Sequence, residues 1–250
     1  MQIADRFVLI NHQLLQMKNI LITASTKGMG RATAIAFANE GANLAVCSRN
    51  SNELEAFKQE LLNINPAIKV VTQVVDGSNK EQLLDFALNA EKELGFIDII
   101  VNNLGMFDPV SILDETDEAF EKQLNTNLMP AYHLYKFFGK KMMEKKSGHI
   151  FTICSVAALD PIASAGTYSV TKVALLGLTK VMKLEMQPYN VKVTAVIPGS
   201  TLTNSWAGTT ISPDKFVLPE DVASAIVNTG KMSVGANVDE IIIRPVGGQI

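Results

Sequence analysis

Tyr168 and Lys172, four residues apart in GTYSVTKVALLG, follow a serine, Ser155, at the end of the apolar run HIFTICS. Positions i and i+4 of a helix share a face, so the phenol and the ammonium point into one space. A cation beside a phenol favours the phenolate. Such a pair is a proton donor and acceptor for a carbonyl and its alcohol, with the serine hydroxyl available to hold the same oxygen. The spacing alone is common, and Tyr132 with Lys136 repeats it. No strand-end serine precedes that second pair, which reads as helix surface.

Context is what raises the first pair above chance. KNILITASTKGMGRATAIAFANEGANLAVCSRN reads as apolar strand, glycine turn, helix and second apolar strand, the opening of a dinucleotide-binding βαβ unit. Gly28 and Gly30 let the backbone approach a pyrophosphate, and the helix behind them offers free N–H groups and a positive dipole end. A two-glycine turn is often merely conformational. Joined to Ser155, Tyr168 and Lys172, it points to dinucleotide chemistry.

These motifs resemble the compact short-chain dehydrogenase/reductase family, from about Lys18 to the C-terminus. The family's glycine motif stands as Thr23-Ala24-Ser25-Thr26-Lys27-Gly28-Met29-Gly30, and its N-N-A-G as Asn102-Asn103-Leu104-Gly105. Its mid-helix active-site asparagine falls on Asn127. Its catalytic Ser, Tyr and Lys fall on Ser155, Tyr168 and Lys172, and its P-G-x-x-x-T is Pro198-Gly199-Ser200-Thr201-Leu202-Thr203.

The resemblance implies a single-domain, doubly wound, Rossmann-like α/β fold with a seven-stranded parallel sheet and helices on both faces. It implies a carbonyl/secondary-alcohol oxidoreductase in which a nicotinamide supplies hydride. Tyr168 exchanges the proton, Ser155 holds the oxygen, Lys172 holds the nicotinamide ribose, and Asn127 opens a long helix to hold a water. The implied cofactor contacts are Thr23, Ser25, Thr26, Lys27, Gly28, Met29, Gly30, Ser48, Arg49, Asp76 (on the adenine), Gly77, Asn103, Gly105, Tyr168, Lys172, Pro198, Gly199, Thr201 and Thr203. Asn102 is expected to steady the strand ends, and Leu104, where the family has Ala, to repack the pocket wall. Ala24 replaces a glycine, so the turn is expected to use a negative φ there.

NADPH is expected over NADH. Enzymes using NAD place an acid near the end of the second strand to receive the adenosine ribose hydroxyls. Here that stretch reads Cys47-Ser48-Arg49-Asn50. Arg49 offers a fork of donors to a 2′-phosphate, and Lys27 reaches the same charge from the glycine turn. Bacterial 3-oxoacyl-carrier-protein reductases are the nearest analogy for the substrate, with sugar, steroid or quinone reduction as alternatives. A non-catalytic dinucleotide sensor is the alternative from another class, but it has no need of an intact proton relay.

The elements that must position these groups alternate along the chain. Strands NILITA, NLAVCS, KVVTQVVD, DIIVNN, HIFTICS, KVTAVIP and DEIIIRP are separated by helices over 29–40, 51–63, 79–94, 116–145, 167–187 and 219–229. Continuous apolar strands imply a parallel sheet covered on both faces. With 250 residues, 47% of them hydrophobic, the chain supplies one sizeable core, over 18–250. Residues 1–17 form an arm of uncertain status whose apolar side chains (Ile3, Phe7, Val8, Leu9, Ile10, Leu14, Leu15) need burial. A net charge of −3 argues against a nucleic-acid partner, and no apolar run reaches the ~18 residues of a membrane span. Cys47 and Cys154 read as buried thiols in a reducing cytoplasm, and the three histidines show no metal-ligand spacing. The apolar residues of the helix over 167–187 are too widely spread to face one sheet, so a homodimer or homotetramer is expected.

Overall fold

Neighbouring residues of a strand point to opposite faces, and here both faces are apolar. The computed structural model describes residue 15 and residues 17–250. Its strands are β1 (Asn19–Ile22), β2 (Asn43–Ser48), β3 (Val70–Val74), β4 (Ile99–Asn102), β5 (His149–Ile153), β6 (Lys192–Pro198) and β7 (Glu240–Ile243). All pair in parallel, in the order β3-β2-β1-β4-β5-β6-β7. Helices α1 (Gly28–Asn39), α2 (Ser51–Ile64), α3 (Lys80–Leu94), α4 (Asp117–Asn127), α5 (Met129–Lys145), α6 (Gly166–Met186) and α7 (Pro219–Gly230) join them.

Alternation along the strands builds two cores. Leu21, Ala45, Ile100, Ile150 and Val193 face one layer, where they meet Phe86 of α3, Phe138 of α5 and Leu175 of α6. Ile20, Val46, Val101, Phe151 and Val196 face the other, against Phe37 of α1, Phe57 of α2 and Ile226 of α7. β1 has β2 on one side and β4 on the other. The chain therefore winds away in both directions from one seam, which leaves a crevice beyond the strands' C-terminal ends. Residues 23, 48, 76, 103, 155 and 198 all lie at or just past those ends.

Two expectations need correction. The helix expected over 116–145 is two helices meeting at Leu128, whose φ and ψ are −113° and −52°. Pro130 lies in the first turn of α5 and has no N–H to continue the ladder, so the sequence itself carries the break. Ala24 takes the positive φ that the reading denied it, +54°. The side-chain amide of Asn103, just past the end of β4, holds it there, as described below. The apolar residues of α6 divide between two sides, as expected. Leu176 and Met182 lie in its own core, while Val173, Val181 and Leu184 remain exposed.

Of the N-terminal arm, Leu15 is buried. It packs near Gly230 of α7, and its carbonyl accepts from the Lys18 N–H at 3.1 Å. The expectations for Ile3, Phe7, Val8, Leu9, Ile10 and Leu14 lie outside the described residues.

Candidate active site

α6 starts hard against the loop that leaves β4. A Cβ on Gly166 would come within 2.6 Å of the Ile112 side chain, so any larger residue there must displace that side chain. Two residues on, the Tyr168 ring meets Phe107 of that loop edge to face, with centroids 4.9 Å apart. Lys172, one turn later, is 4% exposed. Its Nζ lies 5.7 Å from the Tyr168 ring centre and donates to the Ile153 carbonyl at 3.0 Å. An ammonium has three donors, and this bond to the end of β5 fixes one of them. Ser155 follows two residues later, nearly buried. Its Oγ accepts from the Ala157 N–H at 3.1 Å, which turns the hydroxyl proton away from the short helical turn Val156–Ala158.

Asn127 closes the arrangement from α4. Its Oδ1 accepts from the Met106 N–H at 2.7 Å, while its Nδ2 donates to the Met106 carbonyl (3.1 Å) and the Thr171 hydroxyl (3.0 Å). Thr171 Oγ1 in turn donates to the Tyr168 carbonyl at 2.7 Å. A Cβ on Gly105 would lie 3.3 Å from Lys172 Nζ and 3.5 Å from Asn127 Oδ1. The small residue therefore leaves room where the β4 loop, α4 and α6 converge. All four residues read from the sequence as catalytic are thus brought to one place.

The glycine turn fits a dinucleotide phosphate. Asn50, Asn79 and Thr116 cap α2, α3 and α4 with their side chains. α1 has no side-chain cap and no acid in its first turn, so its N–H groups and dipole remain available to an anion. Gly28 has φ +53°. Gly30 is packed to the limit, since a Cβ would fall 2.4 Å from Asn103 Nδ2 and 2.5 Å from the Ala24 carbonyl. Asn103 Nδ2 donates to the Thr23 and Ala24 carbonyls, each at 2.9 Å. These bonds hold Ala24 in a backbone region that costs a non-glycine residue about 1–2 kcal/mol.

Several residues expected on the cofactor also shape the turn. Thr23 and Ser25 are buried. Thr23 Oγ1 accepts from the Asn103 and Leu104 N–H groups at 3.0 Å, and Ser25 Oγ donates to the Ile22 carbonyl at 2.6 Å. Tying the strand ends, expected of Asn102, is done by Asn103. The Asn102 amide lies opposite Thr152 in the sheet and finds no hydrogen-bond partner among the described residues. Leu104 presses on Gly77, where a Cβ would meet it at 2.4 Å. Asp76 accepts from the Ser78 hydroxyl (2.7 Å) and N–H (3.1 Å). Ser78, and behind it the Arg49 charge, hold the Asp76 carboxyl below the usual carboxylate range. Ser48 Oγ donates to the Asn50 carbonyl at 3.2 Å. Arg49 is exposed, and Lys27 pairs with Glu53 at 2.8 Å.

On the far side of the crevice, Thr201 Oγ1 donates to the Gly199 carbonyl at 2.9 Å, and an isolated bridge joins Thr201 to Val217. This closes the base of a short lid, residues 202–217, in which Trp206 packs on Phe216. Thr203 reaches the glycine turn, its Cγ2 lying 3.2 Å from where a Gly28 Cβ would stand. A recess of about 440 Å³ lies between Gly28, Arg31, Trp206 and Glu220. Gly28 and Thr203, both expected on the cofactor, line it, whereas Ser155, Tyr168 and Lys172 do not.

Comparison with known proteins agrees with this geometry. The family model for short chain dehydrogenases matches residues 18–212. The chain belongs to that family. It is 32% identical over 243 residues to a sepiapterin reductase of Chlorobaculum tepidum, covering 94% of this chain and 99% of that protein. An uncharacterized oxidoreductase of Bacillus subtilis is 36% identical over 193 residues, 77% of this chain and 72% of its own. Among solved structures, the L-sorbose reductase of Gluconobacter frateurii complexed with NADPH and L-sorbose superposes with a TM-score of 0.84. It is 25% identical and covers 91% of this chain and 95% of its own. This family member is an oxidoreductase of the Rossmann-like class.

Sequence reasoning missed Phe107, Met106, Thr171 and Glu53. Thr171 carried a weak signal, one position before Lys172 on a helix. The others reach the site from loops and a neighbouring helix, and no spacing in the chain points to them.

Proposed function

We propose that this short-chain dehydrogenase interconverts a carbonyl and a secondary alcohol with NADP(H). The observation that carries the reading is that Lys172 lies beside the Tyr168 ring on one face of α6, is tied to the end of β5 two residues before Ser155, and meets Asn127 across Gly105. When bound, the dihydronicotinamide supplies hydride to the carbonyl carbon. The chain's own residues handle the oxygen. Ser155, its lone pair engaged by the Ala157 N–H, donates its proton as a hydrogen bond to that oxygen as charge builds. Tyr168 donates its phenolic proton to the same oxygen. Lys172, anchored on Ile153, stabilises the negative charge left on the phenol and offers remaining donors to ribose hydroxyls. Asn127 keeps the Met106 loop and the Tyr168 turn in register.

NADPH is favoured by the absence of an acid at the end of β2. Arg49 also makes no ion pair among the described residues. Exposed Phe107 meets the Tyr168 ring and half-exposed Ile162 bonds the adjoining Ser169, which supports a carbonyl with apolar substituents, 3-oxoacyl chains among them. Val173, Val181 and Leu184 on α6, with exposed Gly177 between them, form a stripe that a second copy would cover by two-fold symmetry. No helix among the described residues is long and apolar enough to cross a membrane. Cys47 and Cys154 are free and buried, which supports a cytoplasmic setting. The test is a panel of ketones followed by cofactor absorbance with NADPH and with NADH. Turnover with kcat/KM higher for NADPH is expected. Tight NADPH binding with no turnover on any carbonyl would favour a sensor, and a higher kcat/KM for NADH would refute the cofactor assignment.

A further inference from the structure

The donors nearest the expected 2′-phosphate position already hold an anion. Glu53, in the first turn of α2, pairs with Lys27 Nζ at 2.8 Å. Thr26 Oγ1 donates to its Oε2 at 3.4 Å, and Asn50 Nδ2 to its Oε1 at 3.4 Å. Asn50 Oδ1 also accepts from the Glu53 N–H at 3.1 Å, so the helix cap sets where the carboxylate stands. Thr26 and Lys27 belong to the glycine turn and Asn50 to the end of β2. The carboxylate thus bridges the two segments between which the adenosine ribose of a dinucleotide must lie.

We propose that Glu53 is a specificity-determining residue that weakens the site's preference for a 2′-phosphorylated adenosine. The inference rests on the cofactor reading above. Around this mouth the charges are Lys27 and Arg49 against Glu53 and Asp76. A phosphate brings nearly two negative charges to donors that Glu53 occupies, and must either displace the carboxylate or lie beside it. A ribose bearing only hydroxyls meets no such conflict, because its hydroxyls donate to a carboxylate. Glu53 therefore acts against the phosphate that Arg49 attracts, and the two together set the NADPH to NADH ratio.

The experiment uses binding and needs no turnover. Calorimetric titration compares adenosine 2′,5′-bisphosphate with adenosine 5′-monophosphate on wild type, Glu53→Gln and Glu53→Ala. Glutamine keeps the length, the backbone N–H cap and the helix while removing the charge. Both variants are expected to bind the bisphosphate about tenfold more tightly at low salt, with the gain shrinking as salt screens the exposed charges. Affinity for the monophosphate should stay within about twofold. A bisphosphate affinity unchanged in both variants would make Glu53 a bystander, and a weakened one would mean that it positions Lys27 for the phosphate. Either result overturns the proposal while leaving the cofactor reading intact. Failure of the wild type to bind either nucleotide would overturn the cofactor reading, and this inference with it.

Discussion

Replacing Tyr168 by phenylalanine removes one oxygen and almost nothing else. Tyr168 touches its neighbours through its ring, edge-on to Phe107 at 4.9 Å and 5.7 Å from Lys172 Nζ, and through its carbonyl, which accepts from Thr171. Phenylalanine keeps all three contacts. The fold should therefore hold within about 0.5 kcal/mol, as for a substitution that breaks no buried bond. Cofactor affinity should persist as well, because the ribose is assigned to Lys172. What is lost is the proton donor. General acid/base placement contributes about 10²–10⁴ in rate, and each factor of ten is about 1.4 kcal/mol of barrier. The barrier should thus rise by about 3–5 kcal/mol. The measurements are steady-state kcat and kcat/KM on an accepted ketone, NADPH titration, and a urea melt. Turnover near that of the wild type would refute the assignment of Tyr168. A loss of more than about 1 kcal/mol of unfolding free energy in the urea melt would refute the claim that its hydroxyl is structurally idle. Tyr132→Phe, on the exposed face of α5, serves as the control and should leave the rate unchanged.

His149 is 4% exposed, stacks on Phe151 and shares a 2.8 Å hydrogen bond with Thr194. Burial, with the Lys192 charge second, pushes its pKa down to about 3 from 6.5. The unfolded chain therefore binds the proton first. The stability contributed by neutral His149 is complete above pH 6.5 and is lost as pH falls toward 3, at up to about 1.4 kcal/mol per pH unit. His149→Gln should flatten the acid limb of stability in that window, and an unchanged slope would rule this out. Ala24→Gly should raise stability by up to about 1 kcal/mol. Relief of the positive φ is worth about 1–2 kcal/mol, partly offset by the greater backbone freedom of glycine in the unfolded chain. A loss of more than about 0.5 kcal/mol in a urea melt would show that the turn is not strained. Light scattering at micromolar concentration should give a dimer or tetramer, shifting toward monomer in Val181→Lys with Leu184→Lys. A wild-type monomer would remove the case for pairing through α6.

The alternation of apolar strands and helices was legible along the chain because a parallel sheet covered on both faces needs continuous apolar strands. Spacing on one helix was enough to place Tyr168 and Lys172 together, and the glycine turn was enough to place the start of α1 just past the end of β1. Pro130 held the signal for the break in the helix expected over 116–145, but a long polar–apolar pattern masked it. The conformation of Ala24 was not readable. Local propensity disfavours a positive φ for alanine, and the hydrogen bonds from Asn103 that overrule it come from the loop after β4, about eighty residues away. The same holds for Asn127, whose amide looks like a helix misfit until Met106 and Thr171 are placed around it. Sequence patterns report what each segment can bury or bend, which fixed the layers and the catalytic helix. Which polar group answers which depends on loops meeting across the crevice. Only the tertiary structure decided that Thr23 and Ser25 turn inward, that Phe107 flanks Tyr168, and that Lys27 is paired with Glu53.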